Sequence, residues 1–156
     1  MNIRKAVPED ASGIAKVHVD SWRSAYRGLL HDGRLDRLDY IRGADHFRET
    51  IIRESEGFYV VEDVAGIIGV LVLGPCRDQE LDCTSAGEVY ALYLAPDYWR
   101  KGIGRVVMRE AELLLKSQGY SRIALWVFES NKPARLFYET IGFTADGVNR
   151  IIDAIV

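Results

Sequence analysis

The stretch Trp99-Arg100-Lys101-Gly102-Ile103-Gly104-Arg105 constrains this chain more than any other. It follows Glu88 to Leu94, an apolar segment that reads as a strand, and it opens Ile103 to Lys116, whose apolar residues recur at helical spacing. Glycines at a strand-to-helix turn leave backbone N–H groups unshielded. A helix N-terminus aims those donors and a partial positive charge at one spot, which suits a phosphate. Arg100, Lys101 and Arg105 place three cations there, in a chain whose net charge is −3. The stretch therefore reads as a pyrophosphate cradle.

With 156 residues, the chain has the length of one domain with a core of its own. The acidic balance argues against general nucleic-acid binding, so the local basic cluster needs a specific use. The longest uncharged apolar run, Ala65 to Cys76, is too short to span a bilayer. Met1 to Lys5 leads into charged sequence with no apolar signal-peptide core. These features predict a cytoplasmic protein that engages neither membrane nor nucleic acid. Cys76 and Cys83 are the only cysteines, and free thiols are favoured over a loop disulfide in a reducing compartment. His18, His31 and His46 form no metal-ligand spacing and read as surface or partly buried residues, so no metal is expected.

Asn2 to Val7 reads as a strand, and Pro8-Glu9-Asp10 as a helix start. Ile14, Val17, Trp22 and Ala25 line one face of a helix to about Tyr26. A second helix is expected from Leu38 to Glu54. Phe58–Glu62 and Ile67–Leu73, joined by Asp63 to Gly66, read as an antiparallel hairpin. Pro75 to Ala86 is a polar loop of the kind that lines sites. Arg122 to Phe128 is another strand. Asn131 to Ile141 is a helix with Ala134, Phe137, Tyr138 and Ile141 on one face, ended by Gly142. Phe143-Thr144 and Val148 to Ile155 are expected as two last strands. The order β-α-α-β-β-β-α-β-α-β-β describes an α/β (α+β) chain with a mostly antiparallel mixed sheet flanked by helices.

The segment Tyr90 to Arg105 resembles the acetyl-CoA-binding motif of the GNAT (GCN5-related) N-acetyltransferases. Glu129 to Phe143 resembles the family's second signature, and Val17 to Leu30 is similar to the opening of many bacterial members. The element order matches along nearly the whole chain. The family pattern at the cradle is Gln/Arg-x-x-Gly-x-Gly/Ala. Gly102 and Gly104 match it, whereas Trp99 stands at the first position.

The resemblance implies one GNAT domain over residues 1–156, with acetyl-CoA as cofactor and CoA as product. It implies a splayed pair of strands, with the pantetheine arm pairing against the backbone of Leu92 and Leu94. An edge with free N–H and C=O groups suits such pairing. The implied cofactor contacts are Leu92, Tyr93 and Leu94, then Arg100 to Arg105 through Gly102, Ile103 and Gly104, then Asn131, Ala134 and Tyr138. Asn131 also reads as a plain N-cap.

Acetyl transfer to an amine requires loss of a proton from the amine, a donor for the developing oxyanion and a proton for the leaving thiolate. Tyr138 matches the family's tyrosine and is the candidate acid, although its spacing also suits a core aromatic. General acids typically contribute about 10²–10⁴-fold. Glu88 is the candidate base, directly or through water; a solvated strand-end glutamate is the alternative. In a regular strand Tyr90 shares Glu88's face and Tyr93 does not, a rule that a bulge would break. The oxyanion donor is expected to be a backbone N–H near Leu94.

The acceptor, a small-molecule or peptide amine, is expected against Trp22, Tyr26 and Tyr90, with Asp32, Asp36 and Asp39 nearby as carboxylates for a cationic amine; taken singly, the residues of the first two helices read as an ordinary solvated face with a buried tryptophan. No cysteine sits in the motifs as an acyl carrier, so direct transfer in a ternary complex is expected. A non-catalytic acyl-CoA sensor with the same fold is the rival. An edge ending at Val156 is one that a second copy can complete, which makes a homodimer a hypothesis.

Overall fold

Two runs of β-branched and aromatic or aliphatic residues, within Phe58 to Pro75, fold back on each other at Asp63-Val64-Ala65-Gly66. The Asp63 carboxylate accepts the Ala65 N–H at 2.8 Å, and Gly66 takes φ +111°, which few other residues adopt cheaply. This hairpin is the centre of the computed structural model, which describes residues 1–54, 57–77 and 83–148. Its strands are β2 (Phe58–Asp63) and β3 (Gly66–Pro75). β1 (Asn2–Lys5) pairs antiparallel with β2, and β4 (Ala86–Leu94) antiparallel with β3. β5 (Arg122–Leu125) joins β4 in parallel, giving the order β1-β2-β3-β4-β5. The helices are α1 (Ala11–Tyr26), α2 (Asp32–Asp36), α3 (Tyr40–Glu54), α4 (Ile103–Ser117) and α5 (Lys132–Thr140).

One face of the sheet packs on α1 and α3. Ile14, Val17 and Ile51 meet Ala6, Phe58, Val60 and Val70 there, with Phe47, Val72 and Tyr93 at the margin. The other face packs on α4, which buries Val107, Met108, Ala111 and Leu115. Each large apolar side chain so buried contributes roughly 1.5–3 kcal/mol. A Cβ at Gly87 would lie 2.6 Å from Leu115, so this position requires glycine for α4 to approach β4 closely.

The chain divides into two compact units, residues 1–126 and 127–156. The first holds all five described strands and α1 to α4. The second, as described, holds α5 and the turns around it.

The hairpin, the cradle helix and the mixed sheet agree with the sequence, and several boundaries move. α2 is an additional short helix, capped by the His31 ring accepting the Gly33 N–H at 3.1 Å. β4 begins at Ala86, and β5 stops at Leu125 instead of Phe128. Phe143 and Thr144 form no strand: Gly142 at φ +106° ends α5, and the following residues stay irregular. The last expected strand lies outside the described residues from residue 149 onward, and the proposed dimer edge with it. Cys76 is disulfide-bonded, which corrects the expectation of free thiols. No helix among the described residues is long and apolar enough to cross a membrane.

Candidate active site

β4 changes character halfway along. Ala86 to Val89 are buried and pair with strands on both sides; Tyr90 to Leu94 are half-buried, and among the described residues Ala91 to Leu94 pair with β3 alone. The parallel ladder to β5 ends at Val89 opposite Leu125. Among the described residues, no strand covers the far edge of β4 beyond that point.

The hydrogen-bond pattern shows what this edge presents. Leu94 lies opposite Gly69, and the Ala95 N–H donates to the Ile68 carbonyl at 2.9 Å. In an antiparallel ladder, a bond between flanking residues marks the enclosed pair as one whose own N–H and C=O point away from the partner. Leu94 is therefore directed off β3, and by alternation so is Leu92. These are the two residues whose backbone the family resemblance assigns to pantetheine.

The edge runs into the loop that ends at α4. Arg100 takes φ +57° and Gly102 φ +81°, both left-handed. Gly102 caps α4 without a side chain, and a Cβ built there meets nothing within 4 Å. The N–H groups of the helix's first turn lack intrahelical acceptors by construction. Arg100, Lys101 and Arg105 stand exposed around them, while Ile103 and Gly104 are half-buried. The Trp99 indole turns back and donates to the Leu94 carbonyl at 2.7 Å. The open edge and the uncluttered basic helix start together fit a cofactor with amides at one end and phosphates at the other.

The register slips between Val72–Ala91 and Leu73–Val89, leaving Tyr90 as the extra residue of a β-bulge. Beyond a bulge the side chains change face. Glu88 lies opposite Gly74, and Tyr93 opposite Val70, on the same face of β3. Tyr90 also packs on Gly74, where an added Cβ would sit 2.6 Å from the phenol oxygen. The bulge thus brings Glu88, Tyr90 and Tyr93 to the α1 side of the sheet.

Glu88 is almost fully buried, not a solvated strand end. Its Oε2 accepts the Arg77 backbone N–H at 2.8 Å, and its Oε1 accepts Arg77 Nη2 at 2.9 Å. The guanidinium carbon lies 3.7 Å from the centre of the Tyr90 ring, and the Tyr90 hydroxyl donates to the Pro75 carbonyl. Burial pushes the Tyr90 phenol up, with the Arg77 charge opposing. Arg77 was not singled out from the sequence; its place at the rim of the Pro75–Ala86 loop was the only signal.

Above the open half of β4 stands an aromatic wall. The His18 ring lies 5.1 Å from Tyr93, 5.5 Å from Trp22 and 5.4 Å from Phe47. Trp22 lies 4.8 Å from Tyr26 and 6.4 Å from Tyr93. The expected pair Trp22 and Tyr26 is therefore joined by Tyr93 and by His18, which is buried and not a surface residue. Burial, with the His46 charge adding to it, lowers His18 to about 4. Burial also drives the Tyr93 phenol up, opposed by its hydrogen bond with Trp22.

The acidic residues expected near the acceptor are already engaged. Arg27 Nη1 lies 3.2 Å from Asp32 and 3.1 Å from Asp36, and Asp39 pairs with Arg42. These exposed ion pairs contribute little and leave no standing set of carboxylates for an amine. Among the described residues, no group of three His, Cys, Asp or Glu side chains is placed to hold a metal.

In the second unit, Asn131 is buried and its Oδ1 accepts the Ala134 N–H at 3.2 Å, capping α5 as asparagine commonly does. Tyr138 lies on α5 with its ring 5.1 Å from Phe137 and 5.8 Å from Phe143.

The family model described as "Acetyltransferase (GNAT) family" matches residues 18–143. The chain is 34% identical to the uncharacterized N-acetyltransferase YuaI of Bacillus subtilis, over 89% of its own length and 78% of that protein's. It is 27% identical to the spermidine N(1)-acetyltransferase of Thermoplasma acidophilum, over 94% and 89% of the two chains. Its fold superposes on the PaiA N-acetyltransferase of Thermoplasma acidophilum, solved with coenzyme A, with a TM-score of 0.80 at 24% identity over 95% and 92% of the chains.

Proposed function

The chain belongs to the GNAT family of acetyltransferases, and we propose that this N-acetyltransferase transfers acetyl directly to a small primary amine with donor and acceptor bound together. The observation that carries the proposal is the open half of β4. Its outward backbone groups lead without a break into the glycine loop and the basic start of α4.

When bound, acetyl-CoA supplies the activated thioester. The chain's residues do the rest. Leu92 and Leu94 offer backbone groups to the pantetheine arm. Gly102, Ile103, Gly104 and Arg105 offer N–H groups to the phosphates, with Arg100 and Lys101 supplying charge. A backbone N–H near Leu94 faces the same edge and is the donor for an oxygen gaining negative charge. Asn131 and Ala134 shape the start of α5, and Tyr138 is the acid for the leaving thiolate, by its match to the second motif. The family match crosses residue 126, which supports reading both units as one catalytic domain.

Glu88 takes the amine's proton, directly or through water. Both its oxygens accept from Arg77, so the guanidinium must release Oε1 first, while the backbone N–H can stay on Oε2. Arg77 is 63% exposed and can move. A lysine-like amine near pKa 10.4 requires that base more than an α-amine near about 8. Trp22, Tyr26, Tyr90 and Tyr93 provide ring faces for a cation on the same side of the sheet. The spermidine activity named for the Thermoplasma relative makes polyamines the first acceptors to test.

A cytoplasmic place of work belongs to the same reading. The disulfide at Cys76 counts against it, and thiol titration of protein isolated with a blocking reagent decides the point.

The test is turnover of a panel of amines by the native protein, Glu88→Gln and Tyr138→Phe. Both variants should keep CoA binding and lose turnover. Unchanged turnover in both would overturn these assignments.

A further inference from the structure

We propose that Trp99 is a positioning residue for the cofactor, clasping the phosphate loop to the open end of β4 through its indole N–H. The inference rests on the acetyl-CoA reading above and concerns a position where this chain departs from the Gln/Arg of the family pattern.

The loop from Ala95 to Gly102 is not held by a regular ladder. Pro96 to Tyr98 form a single 3-10 turn, and Trp99 N–H donates to the Pro96 carbonyl at 3.1 Å. Arg100 then adopts φ +57°, the only left-handed non-glycine among the described residues. For a residue with a Cβ that conformation is unfavourable and persists where its surroundings over-determine it. Two side-chain bonds do this on its N-terminal side. The Tyr98 hydroxyl bonds the Asp63 carboxylate at 3.0 Å, and the Trp99 indole bonds the Leu94 carbonyl at 2.7 Å. The second ties the residue immediately before Arg100 to the last residue of the strand.

The bond also edits the edge. The Leu94 carbonyl points off β3, where it would otherwise be the last acceptor available to an added strand. With the indole on it, the edge offers the N–H and C=O of Leu92 and the N–H of Leu94, and stops there. The clasp therefore fixes where the amides can pair relative to where the phosphates sit. An indole carries a donor and no acceptor, so this geometry has one orientation. A glutamine can donate to the same carbonyl; a phenylalanine cannot.

The experiment is calorimetric titration of the full chain, Trp99→Phe and Trp99→Gln with CoA and with adenosine 3′,5′-bisphosphate, which has phosphates and no pantetheine. The clasp predicts that Trp99→Phe weakens both ligands about three- to tenfold, and that Trp99→Gln recovers at least half of the loss on a logarithmic scale. Equal affinities in all three proteins would overturn it. Tighter CoA with unchanged bisphosphate in Trp99→Phe would also overturn it, since the indole would then be a competitor of pantetheine. Should Trp99→Phe fail to fold, the indole N–H resonance of Trp99 in the native protein gives the answer. It should keep its hydrogen-bonded shift at saturating CoA, and its return to a solvent-exposed value would contradict the clasp. Failure of the native protein to bind CoA at all would instead count against the acetyl-CoA reading.

Discussion

The two halves of β4 belong to one strand and differ in what lies beside them. Ala86 to Val89 lie between β3 and β5, with ladders on both sides, and are buried. Tyr90 to Leu94 follow without a break in the chain, yet among the described residues have a strand on one side only. The change coincides with the bulge at Tyr90, which bends the strand and reassigns its faces, and with the end of the β5 ladder at Leu125. An edge is usually a liability that a protein covers or blunts. Here it begins where the short β5 ends, inside the strand order of the sheet. Closure suits the first half to stability; openness in the second is what the proposed binding role requires.

Substitutions that separate stability from binding are the way to break this comparison. The largest effect is expected at the junction. Glu88→Gln keeps the shape and an acceptor for Arg77 but removes the charge, and should lower kcat by about 10²–10⁴-fold with CoA affinity unchanged. Parallel losses of kcat and CoA affinity would show that Glu88 is structural. Leu73→Ala truncates a fully buried side chain opposite Val89 in the closed half. Denaturant unfolding should show a loss of about 2–5 kcal/mol. Leu92→Ala in the open half should cost under half as much, and equal losses would erase the distinction.

His18 tests the wall above the open half. Its folded-state value of about 4 lies below the ordinary 6.5, because burial disfavours the imidazolium. Above pH 6.5 the ring is neutral folded or unfolded, and its contribution is fully present. As pH falls from 6.5 towards 4, the unfolded chain binds a proton that the folded chain refuses, and stability is lost, on the order of 3 kcal/mol. His18→Phe should flatten the pH dependence of unfolding in that window relative to the native protein. An unchanged slope would mean that His18 titrates normally.

The smallest expected effect is at the cradle. Gly102→Glu puts a Cβ at φ +81° and a carboxylate where phosphates are expected. Its CoA affinity should fall about 10- to 100-fold with little change in fold, measured by calorimetry. Native-like affinity would move the phosphate site elsewhere.

The parts legible in the sequence were those with short-range signatures. The hairpin turn at Asp63 to Gly66, the helical spacing of α4 and the glycines at its start each declare themselves within a few residues. The parts that were not legible depend on pairing across the fold. Nothing local marks Tyr90 as a bulge, so Tyr93 appeared to face away from Glu88 when it shares its side. Arg77's hold on Glu88 joins residues on either side of a loop whose path composition does not specify. The carboxylates at Asp32, Asp36 and Asp39 looked available because their arginine partners, Arg27 and Arg42, are set by how α2 and α3 begin. His18 stands at i+4 from Ile14 and i−4 from Trp22, on the apolar face of α1, a spacing that its polar ring obscured, and Phe47 and Tyr93 pack against it.

The central claim is that the N–H and C=O of Leu92 and the N–H of Leu94, which point off β3, are the groups that acetyl-CoA engages. Amide hydrogen exchange resolved along β4, with and without saturating CoA, tests it most directly. The account predicts that the Leu92 and Leu94 amides exchange quickly in the free protein and become protected on binding, while the amides of Val89 and Tyr93, already within ladders, change little. Slow exchange at Leu92 and Leu94 without ligand, or no added protection with it, would contradict the account.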